Sequence, residues 1–240
     1  MPIKHTVRSY DEELKFLAHK IAEMGGHAER MVEQSIAAIV NADQELAQRV
    51  IADDLFLDAA EREIDDKAIT IIAKRQPMAI DLREIIGAIR ISADLERVGD
   101  LGKNIAKRVA AVSDTRQSVK LYRGLETLAE LALTQLKEVL DAYATRSVAQ
   151  INIVRDRDDE IDAMYTSIFR ELLTYMMEDP RNISSCTHLL FSAKNIERIG
   201  DHATNIAETV YYIVTGQQMP AERPKEDLSH DIIVDEARKP

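Results

Sequence analysis

A short stretch that occurs twice constrains this chain more than any other feature of its sequence. Residues 94–106 read DLERVGDLGKNIA, and residues 195–207 read NIERIGDHATNIA. In each copy the apolar residues recur at alternating spacings of three and four, which is typical of a helix that packs in a bundle. The duplication therefore predicts a chain made of two similar helical halves.

Each copy also carries two carboxylates four residues apart and an asparagine one turn later. At about 100° per residue, these three polar residues fall on one narrow face of the helix. That face lies roughly opposite the apolar seam, so packing in the seam does not explain the acids. The residues are Glu96, Asp100 and Asn104 in the first copy and Glu197, Asp201 and Asn205 in the second, which Glu208 extends; Lys107 stands at the matching place in the first.

A glycine lies in the middle of each copy, at Gly99 and Gly200. Glycine inside a helix costs about 1 kcal/mol relative to alanine. A cost accepted twice at the same place indicates a close approach there, either by a neighbouring helix or by a bound ion.

Glycine and proline are scarce in the rest of the chain. There are 8 Gly and 6 Pro in 240 residues, with long stretches free of both, which predicts an all-α protein. Pro77 and Pro180 each end a helix because proline cannot continue the hydrogen-bond ladder. The Gly25-Gly26 pair is expected to interrupt and bend the first helix. The predicted helices cover residues 9–41, 44–75, 79–112, 118–145, 148–177 and 181–215.

These six long helices predict two tandem repeated three-helix bundles. Short turns make neighbouring helices antiparallel, so residues 9–112 and 118–215 each form an up-down-up unit. Residues 217–240, with two prolines and scattered charge, are expected to be a mobile tail. A single continuous six-helix solenoid is the structural alternative.

Composition excludes several classes of protein. The net charge of -11, without a compensating basic stripe, argues against nucleic-acid binding. Cys186 is the sole cysteine, so no intrachain disulfide forms. No apolar run approaches the roughly 18 residues of a membrane span, and no signal peptide is evident. We expect a soluble cytoplasmic protein that reaches a membrane only through its partners.

The helix before each proline turn carries a second acidic pair. Asp58 and Glu96 lie equally far from Pro77 along the chain, as do Asp54 and Asp100. In an antiparallel hairpin, equal distances from the turn mean equal height. Four carboxylates at one height would repel one another unless a multivalent cation joined them, and oxygen ligands suit Mg, Mn, iron or Zn. The corresponding pair in the second half is Asp158 and Asp162.

Several alternatives remain open at this stage. An acidic pair on a helix is often only a solvated face, and neighbouring arginines can neutralise it. Equal height also does not prove that the two pairs face each other. His202 is either a ligand in the second half or a surface residue. No Gly-rich phosphate loop, nucleophile elbow or Glu-x-x-His pair is present, and the last absence argues against a di-iron oxidase.

The charged residues around the first proline turn have no full counterpart at the second turn. Arg75 precedes it, and Asp81 and Arg83 follow it. This asymmetry indicates either a partner-binding surface or helix capping.

Four stretches together resemble the PhoU family of accessory proteins of the phosphate-specific transport system. They are 74-KRQPMAIDLR-83, 96-ERVGD-100 with Asn104, 173-LTYMMEDPR-181, and 197-ERIGD-201 with Asn205. The resemblance extends from about residue 9 to residue 217. It implies an all-α fold of two repeated three-helix bundles, a homodimer, and multinuclear iron or zinc bound through Glu/Asp-x-x-x-Asp motifs. Here those motifs would be 54–58, 96–100, 158–162 and 197–201, and Lys107 in place of an acid makes the first site less acidic.

The resemblance also implies a function. PhoU proteins dampen phosphate-starvation signalling by contacting the ATPase subunit of the phosphate ABC transporter (PstB-like) and the sensor histidine kinase of the phosphate regulon (PhoR-like). Our first hypothesis is therefore a non-enzymatic regulator and adaptor. A metal-dependent enzyme or metal store is the second hypothesis, although the sequence names no general base for it. A plain helical scaffold with acidic faces is the third.

Overall fold

The structure, a computed structural model, describes residues 8–113 and 119–220, and every regular element in those ranges is helical. Six helices are long, and a short one follows the third. The elements are α1 (Arg8–Asn41), α2 (Gln44–Arg75), α3 (Ile80–Ala106), α4 (Val109–Ser113), α5 (Val119–Thr145), α6 (Val148–Glu178), a 3-10 turn (Pro180–Asn182) and α7 (Ile183–Thr215).

Each half is a three-helix bundle, as the sequence predicts. The helices α1, α2 and α3 pack on one another, and so do α5, α6 and α7. The two bundles are joined along α3 and α7 and, less extensively, along α1 and α5. This pairing excludes the continuous solenoid, because α3 packs against α7 rather than against the next long helix along the chain.

The central helices α3 and α7 run antiparallel. The guanidinium group of Arg83, near the start of α3, lies against Gly216 at the end of α7. Further along, Asp94 contacts His202 near the middle of both helices, and Arg108 stacks over Phe191 near the other end. The α2–α3 turn and the α6–α7 turn therefore lie at opposite ends of the molecule.

Most helix ends lie within one residue of the predicted boundary, and two do not. The predicted third helix was expected to reach Val112, but α3 ends at Ala106 and α4 begins at Val109. The amide of Arg108 donates to the carbonyl of Ile105, three residues back, which tightens the turn there. The seam nevertheless continues, because Val109 and Val112 are buried. The last helix starts at Ile183 rather than residue 181, because Pro180–Asn182 form a 3-10 turn.

The glycine pair in α1 does not interrupt that helix, which is continuous from Arg8 to Asn41. A Cβ atom on Gly25 would lie 2.6 Å from Leu140 Cδ1 of α5. Gly25 therefore permits the close approach of α1 and α5 between the two halves.

The expected tail at 217–240 falls mostly outside the described residues, which end at residue 220. Among the described residues, no helix is both long enough and apolar enough to cross a membrane.

Candidate functional site

The acidic pairs of α2 and α3 meet in the first half, and a lysine lies between them. Lys103 Nζ donates to Asp54 Oδ2 at 2.5 Å and to Asp100 Oδ1 at 2.6 Å. Asp54 is buried and belongs to α2, whereas Lys103 and Asp100 belong to α3. The lysine therefore joins the two helices. We define the first carboxylate cluster as Asp54, Asp58, Glu96 and Asp100.

Glu96 is the carboxylate most affected by its surroundings in the first cluster. Burial raises the pKa of Glu96, and the negative charges of Asp100, Glu61 and Asp58 add to the effect. Arg97 opposes it, since its Nε lies 3.4 Å from Glu96 Oε2. The α2 and α3 carboxylates are thus close enough to repel one another electrostatically.

The corresponding acids of the second half are more deeply buried. We define the second carboxylate cluster as Asp158, Asp162, Glu197 and Asp201. Asp158 is 3% exposed, Asp162 6% and Glu197 5%. A solvated face is therefore the wrong explanation for these three acids. The angular argument missed the burial of Glu197 because α7 packs against α5, α6 and α3, so several of its faces are covered.

Glu197 is only partly neutralised by its neighbours. Lys194 Nζ donates to Glu197 Oε1 at 2.9 Å. Burial nevertheless raises the pKa of Glu197 to about 6; Lys194 lowers it, and the charges of Asp201 and Asp162 raise it further. The other oxygen, Oε2, is buried without a hydrogen-bond partner. A buried carboxylate oxygen left in this state favours an added proton or cation.

The mid-helix glycines lie beside these clusters. A Cβ atom on Gly99 would collide with Leu57 Cδ1 of α2, and one on Gly200 would lie 3.0 Å from Ile161 Cδ1 of α6. Of the two explanations for these glycines, the approach of a neighbouring helix is therefore the one observed.

The two halves differ in their polar residues around the glycine. Gln135 Nε2 donates to the carbonyl of Val154 at 3.0 Å and lies 3.2 Å from Thr204 Oγ1. Thr204 occupies the position in the second copy that Lys103 occupies in the first. The first half thus has an ion pair where the second half has a neutral hydrogen bond.

Asn205 of the second copy is placed differently from the carboxylates of its cluster. Asn205 Nδ2 donates to Asp94 Oδ1 of α3 at 3.4 Å, and His202 Nδ1 lies 2.8 Å from the same oxygen. Both side chains therefore face the other half rather than α6. Asn104 is half-buried, and Glu208 is exposed on α7.

The two clusters differ in how well they fit a metal ion. The oxygen donors of the second cluster, with the unpartnered Oε2 of Glu197, suit a hard or borderline cation. In the first cluster, the ammonium group of Lys103 already lies between Asp54 and Asp100. Within residues 8–113 and 119–220, no three His, Cys, Asp or Glu side chains are already arranged to hold a metal ion. A cation would therefore have to draw the carboxylates closer together.

The three charged residues near the first proline turn all make contacts within the chain. Arg75 Nε donates to Glu13 Oε2 at 2.9 Å and so fastens the end of α2 to α1. Asp81 lies beside Tyr10; burial and the charge of Asp81 raise the pKa of Tyr10 to about 12. Arg83 lies against Gly216. Their proposed partner-binding role stays a prediction.

Sequence reasoning missed the lysines of the clusters and the contact between the halves. Lys103 lies three residues after Asp100, and Lys194 three residues before Glu197. Spacings of three and four place side chains next to one another on a helix, so both lysines were detectable. The contact of Asp94 with His202 joins two different helices, and the sequence gives no comparable signal for it.

The fold and the clusters define a class: a duplicated helical protein with one carboxylate cluster in each three-helix repeat. Comparison with known proteins also finds one repeated domain in each half. A family model described as the PhoU domain matches residues 21–109 and again residues 125–210. The chain therefore belongs to the PhoU family, and each half carries one copy of its domain.

Relatives of high identity extend along most of the chain. It is 68% identical to the phosphate-specific transport system accessory protein PhoU homolog of Rhizobium meliloti, covering 94% of this chain and 95% of that protein. It is 51% identical to the homolog of Caulobacter vibrioides, covering 94% and 98%. The crystal structure of PhoU from Pseudomonas aeruginosa superposes with a TM-score of 0.83 at 37% identity, covering 87% of this chain and 100% of that one.

Proposed function

We propose that this chain is a non-enzymatic adaptor that restrains phosphate uptake and the phosphate-starvation response. Its partners would be the ATPase subunit of the phosphate ABC transporter and the sensor histidine kinase of the phosphate regulon. The observation that carries the proposal is the 68% identity, along 94% of the chain, to a protein named as an accessory of the phosphate-specific transport system.

The distribution of exposed apolar residues supports an adaptor with two contact regions. Met78 is 80% exposed beside the α2–α3 turn, and Met177 is 77% exposed beside the α6–α7 turn. Ile80 and Leu82 accompany the first, and Ile183 the second. Exposed apolar groups of this kind are common at protein interfaces. Because the two turns lie at opposite ends, one chain is able to contact two partners at once.

An adaptor of this kind acts by differential binding. It favours the repressing conformation of the kinase and the less active conformation of the transporter by binding those states more tightly. A few kcal/mol of differential affinity shifts such an equilibrium almost completely. Both partners belong to membrane complexes, so the adaptor would act at the cytoplasmic face of the membrane through them.

The proposal is tested in a strain that lacks this chain and carries a phosphate-starvation reporter. The intact chain should repress the reporter in high phosphate and should co-purify with the tagged transporter ATPase and the tagged kinase. Met78→Ser and Met177→Ser should each weaken recovery of one partner. Leu55→Ser is the matched control, because Leu55 is 72% exposed in the middle of α2. Normal repression together with no recovery of either partner after crosslinking would contradict the adaptor mechanism.

We also propose that the second carboxylate cluster binds a divalent or trivalent cation such as Mg, Mn, iron or Zn. The supporting observation is the buried Glu197 Oε2, which has no hydrogen-bond partner. Metal content measured by mass spectrometry should fall in the double variant Asp162→Asn with Glu197→Gln. Metal-dependent phosphatase or oxidase turnover lost in the same variant would favour the alternative, a carboxylate-metal enzyme. An unchanged metal content would contradict cation binding at this cluster.

A homodimer is part of the same proposal. Light scattering after size-exclusion chromatography should give twice the 27.1 kDa mass of one chain. A mass of a single chain at micromolar concentration would contradict it.

A further inference from the structure

We propose that Lys103 is the built-in counter-ion of the first carboxylate cluster and keeps that cluster closed to metal ions. The first cluster would then be neutralised by a side chain of the protein rather than by a cation from solution. The inference uses the cation-binding proposal for the second cluster as its comparison, and the experiment below separates the two.

The position of the ammonium group carries the argument. Lys103 Nζ lies 2.5 Å from Asp54 on α2 and 2.6 Å from Asp100 on α3. A metal ion that bridged Asp54 and Asp100 would have to occupy the same place between the two carboxylates. Lys103 is a covalent part of α3, so its ammonium group is always present at high effective concentration.

The electrostatic response of Lys103 agrees with this role. Although burial disfavours the charged ammonium group, its hydrogen bonds and charge interactions with Asp100 and Asp54 raise its pKa far above the usual range. The two carboxylates therefore hold the lysine in its charged form. A metal ion would have to displace a permanent cation and leave it without these partners, which is unfavourable in a partly buried site.

The repeats show that the lysine is a specific feature of the first half. Thr204 stands at the equivalent place and bonds with the neutral Gln135. The lysine of the second half, Lys194, approaches Glu197 from the opposite end of the motif and is twice as exposed as Lys103, at 39% against 19% of the side chain. It leaves one oxygen of Glu197 without a hydrogen-bond partner.

The test exchanges the residues of the two repeats and measures bound Mn²⁺ by equilibrium dialysis with elemental mass spectrometry. Lys103→Thr should bind one Mn²⁺ per chain more than the unaltered protein, and adding Asp54→Asn should remove it. The bound ion should also raise the melting temperature of Lys103→Thr. Lys107→Thr, an exposed position at the end of the same helix, is the control and should bind no additional Mn²⁺.

Two outcomes would overturn the inference. One is a folded Lys103→Thr protein, shown by circular dichroism, that binds no more Mn²⁺ than the unaltered chain. The other is an unaltered chain that already loses a Mn²⁺ on Asp54→Asn or Asp100→Asn, with Lys103 in place. If Lys103→Thr does not fold, Lys103→Gln retains most of the side-chain volume without the charge and tests the same point.

The reciprocal exchange distinguishes this inference from the cation site of the second cluster. Thr204→Lys should reduce any Mn²⁺ binding that depends on Glu197, because it adds an ammonium group beside that cluster. If the unaltered chain binds no Mn²⁺ at all, the cation proposal for the second cluster fails, and Lys103→Thr still decides the role of Lys103.

Discussion

His202 of the second repeat donates a hydrogen bond from Nδ1 to Asp94 Oδ1 of the first repeat at 2.8 Å. Asn205, one turn further along α7, donates to the same oxygen at 3.4 Å. Both residues belong to the duplicated stretch, so the motif that builds each cluster also helps to join the two halves. The side chains of Asp94 and His202 are both largely buried in this contact.

Asp94→Ala should therefore destabilise the join between the bundles. Loss of a part-buried hydrogen bond that involves a charged group costs about 1.5–3 kcal/mol. Urea denaturation should show this decrease in the free energy of unfolding. Glu130→Ala, at an exposed position on α5, is the control and should change it by less than about 0.5 kcal/mol. Equal effects of the two substitutions would mean that the contact adds no stability.

A methyl group at Gly99, beside the first carboxylate cluster, should destabilise the protein. A Cβ atom on Gly99 collides with Leu57, a fully buried residue of α2. Gly99→Ala should lower the free energy of unfolding by about 1–3 kcal/mol, because Leu57 has to move in a packed core. Gly26→Ala is the matched control, since its nearest atom, Arg30 Nη1, would be 3.6 Å away. That substitution should be neutral or stabilise α1 by up to about 1 kcal/mol.

How much the sequence could predict depends on the kind of signal. Helix periodicity and the two proline turns located six long helices, because these signals are local. The short turns predicted two up-down-up bundles, and the family resemblance implied the same arrangement. The burial of Glu197 could not be read from one helix, because the helices that cover it come from other parts of the chain.

The candidate site was predicted in part for the same reason. Equal heights in a hairpin placed the α2 and α3 acids together, and Asp54 and Asp100 do share Lys103. Counting along one helix assigned Asn205 to the same stripe as Glu197. In the structure Asn205 faces Asp94 of α3 instead. Successive residues are rotated about the axis of α7, so the Asn205 side chain points away from Glu197 and towards α3.

Arg75 should contribute to stability as well as to any partner contact. It donates to Glu13 Oε2 and to Ser9 Oγ, both at 2.9 Å. The Arg75 hydrogen bond holds the pKa of Glu13 below its usual range. A lowered carboxyl pKa adds stability above the unfolded pKa, and this stability is lost as the pH falls through the folded value.

Arg75→Ala should therefore cost about 1 kcal/mol at pH 7 and less near pH 3, as measured by urea denaturation. Arg49→Ala, at an exposed position of the same helix, is the control. A loss that does not depend on pH would show that Arg75 acts through packing rather than through Glu13.

Glu197 gives the opposite pH dependence. Burial and the nearby charges raise its pKa to about 6 in the folded chain. A carboxyl with a raised pKa contributes stability below its unfolded pKa, and that contribution is lost as the pH rises through the folded value. Ionised Glu197 therefore destabilises the metal-free protein at pH 7.5 by roughly 2 kcal/mol relative to pH 4.

Glu197→Gln removes this titration, so in the presence of a chelator it should stabilise the protein more at pH 7.5 than at pH 4. The difference between the two effects should be about 2 kcal/mol, measured by urea denaturation at both pH values. Glu208→Gln, at an exposed position of the same helix, should show little difference. Added Mn²⁺ should reverse the order at pH 7.5, because only the unaltered carboxylate then gains a cation. If Glu197→Gln has the same effect at both pH values, Glu197 is not the buried, partly neutralised acid that the structure places there.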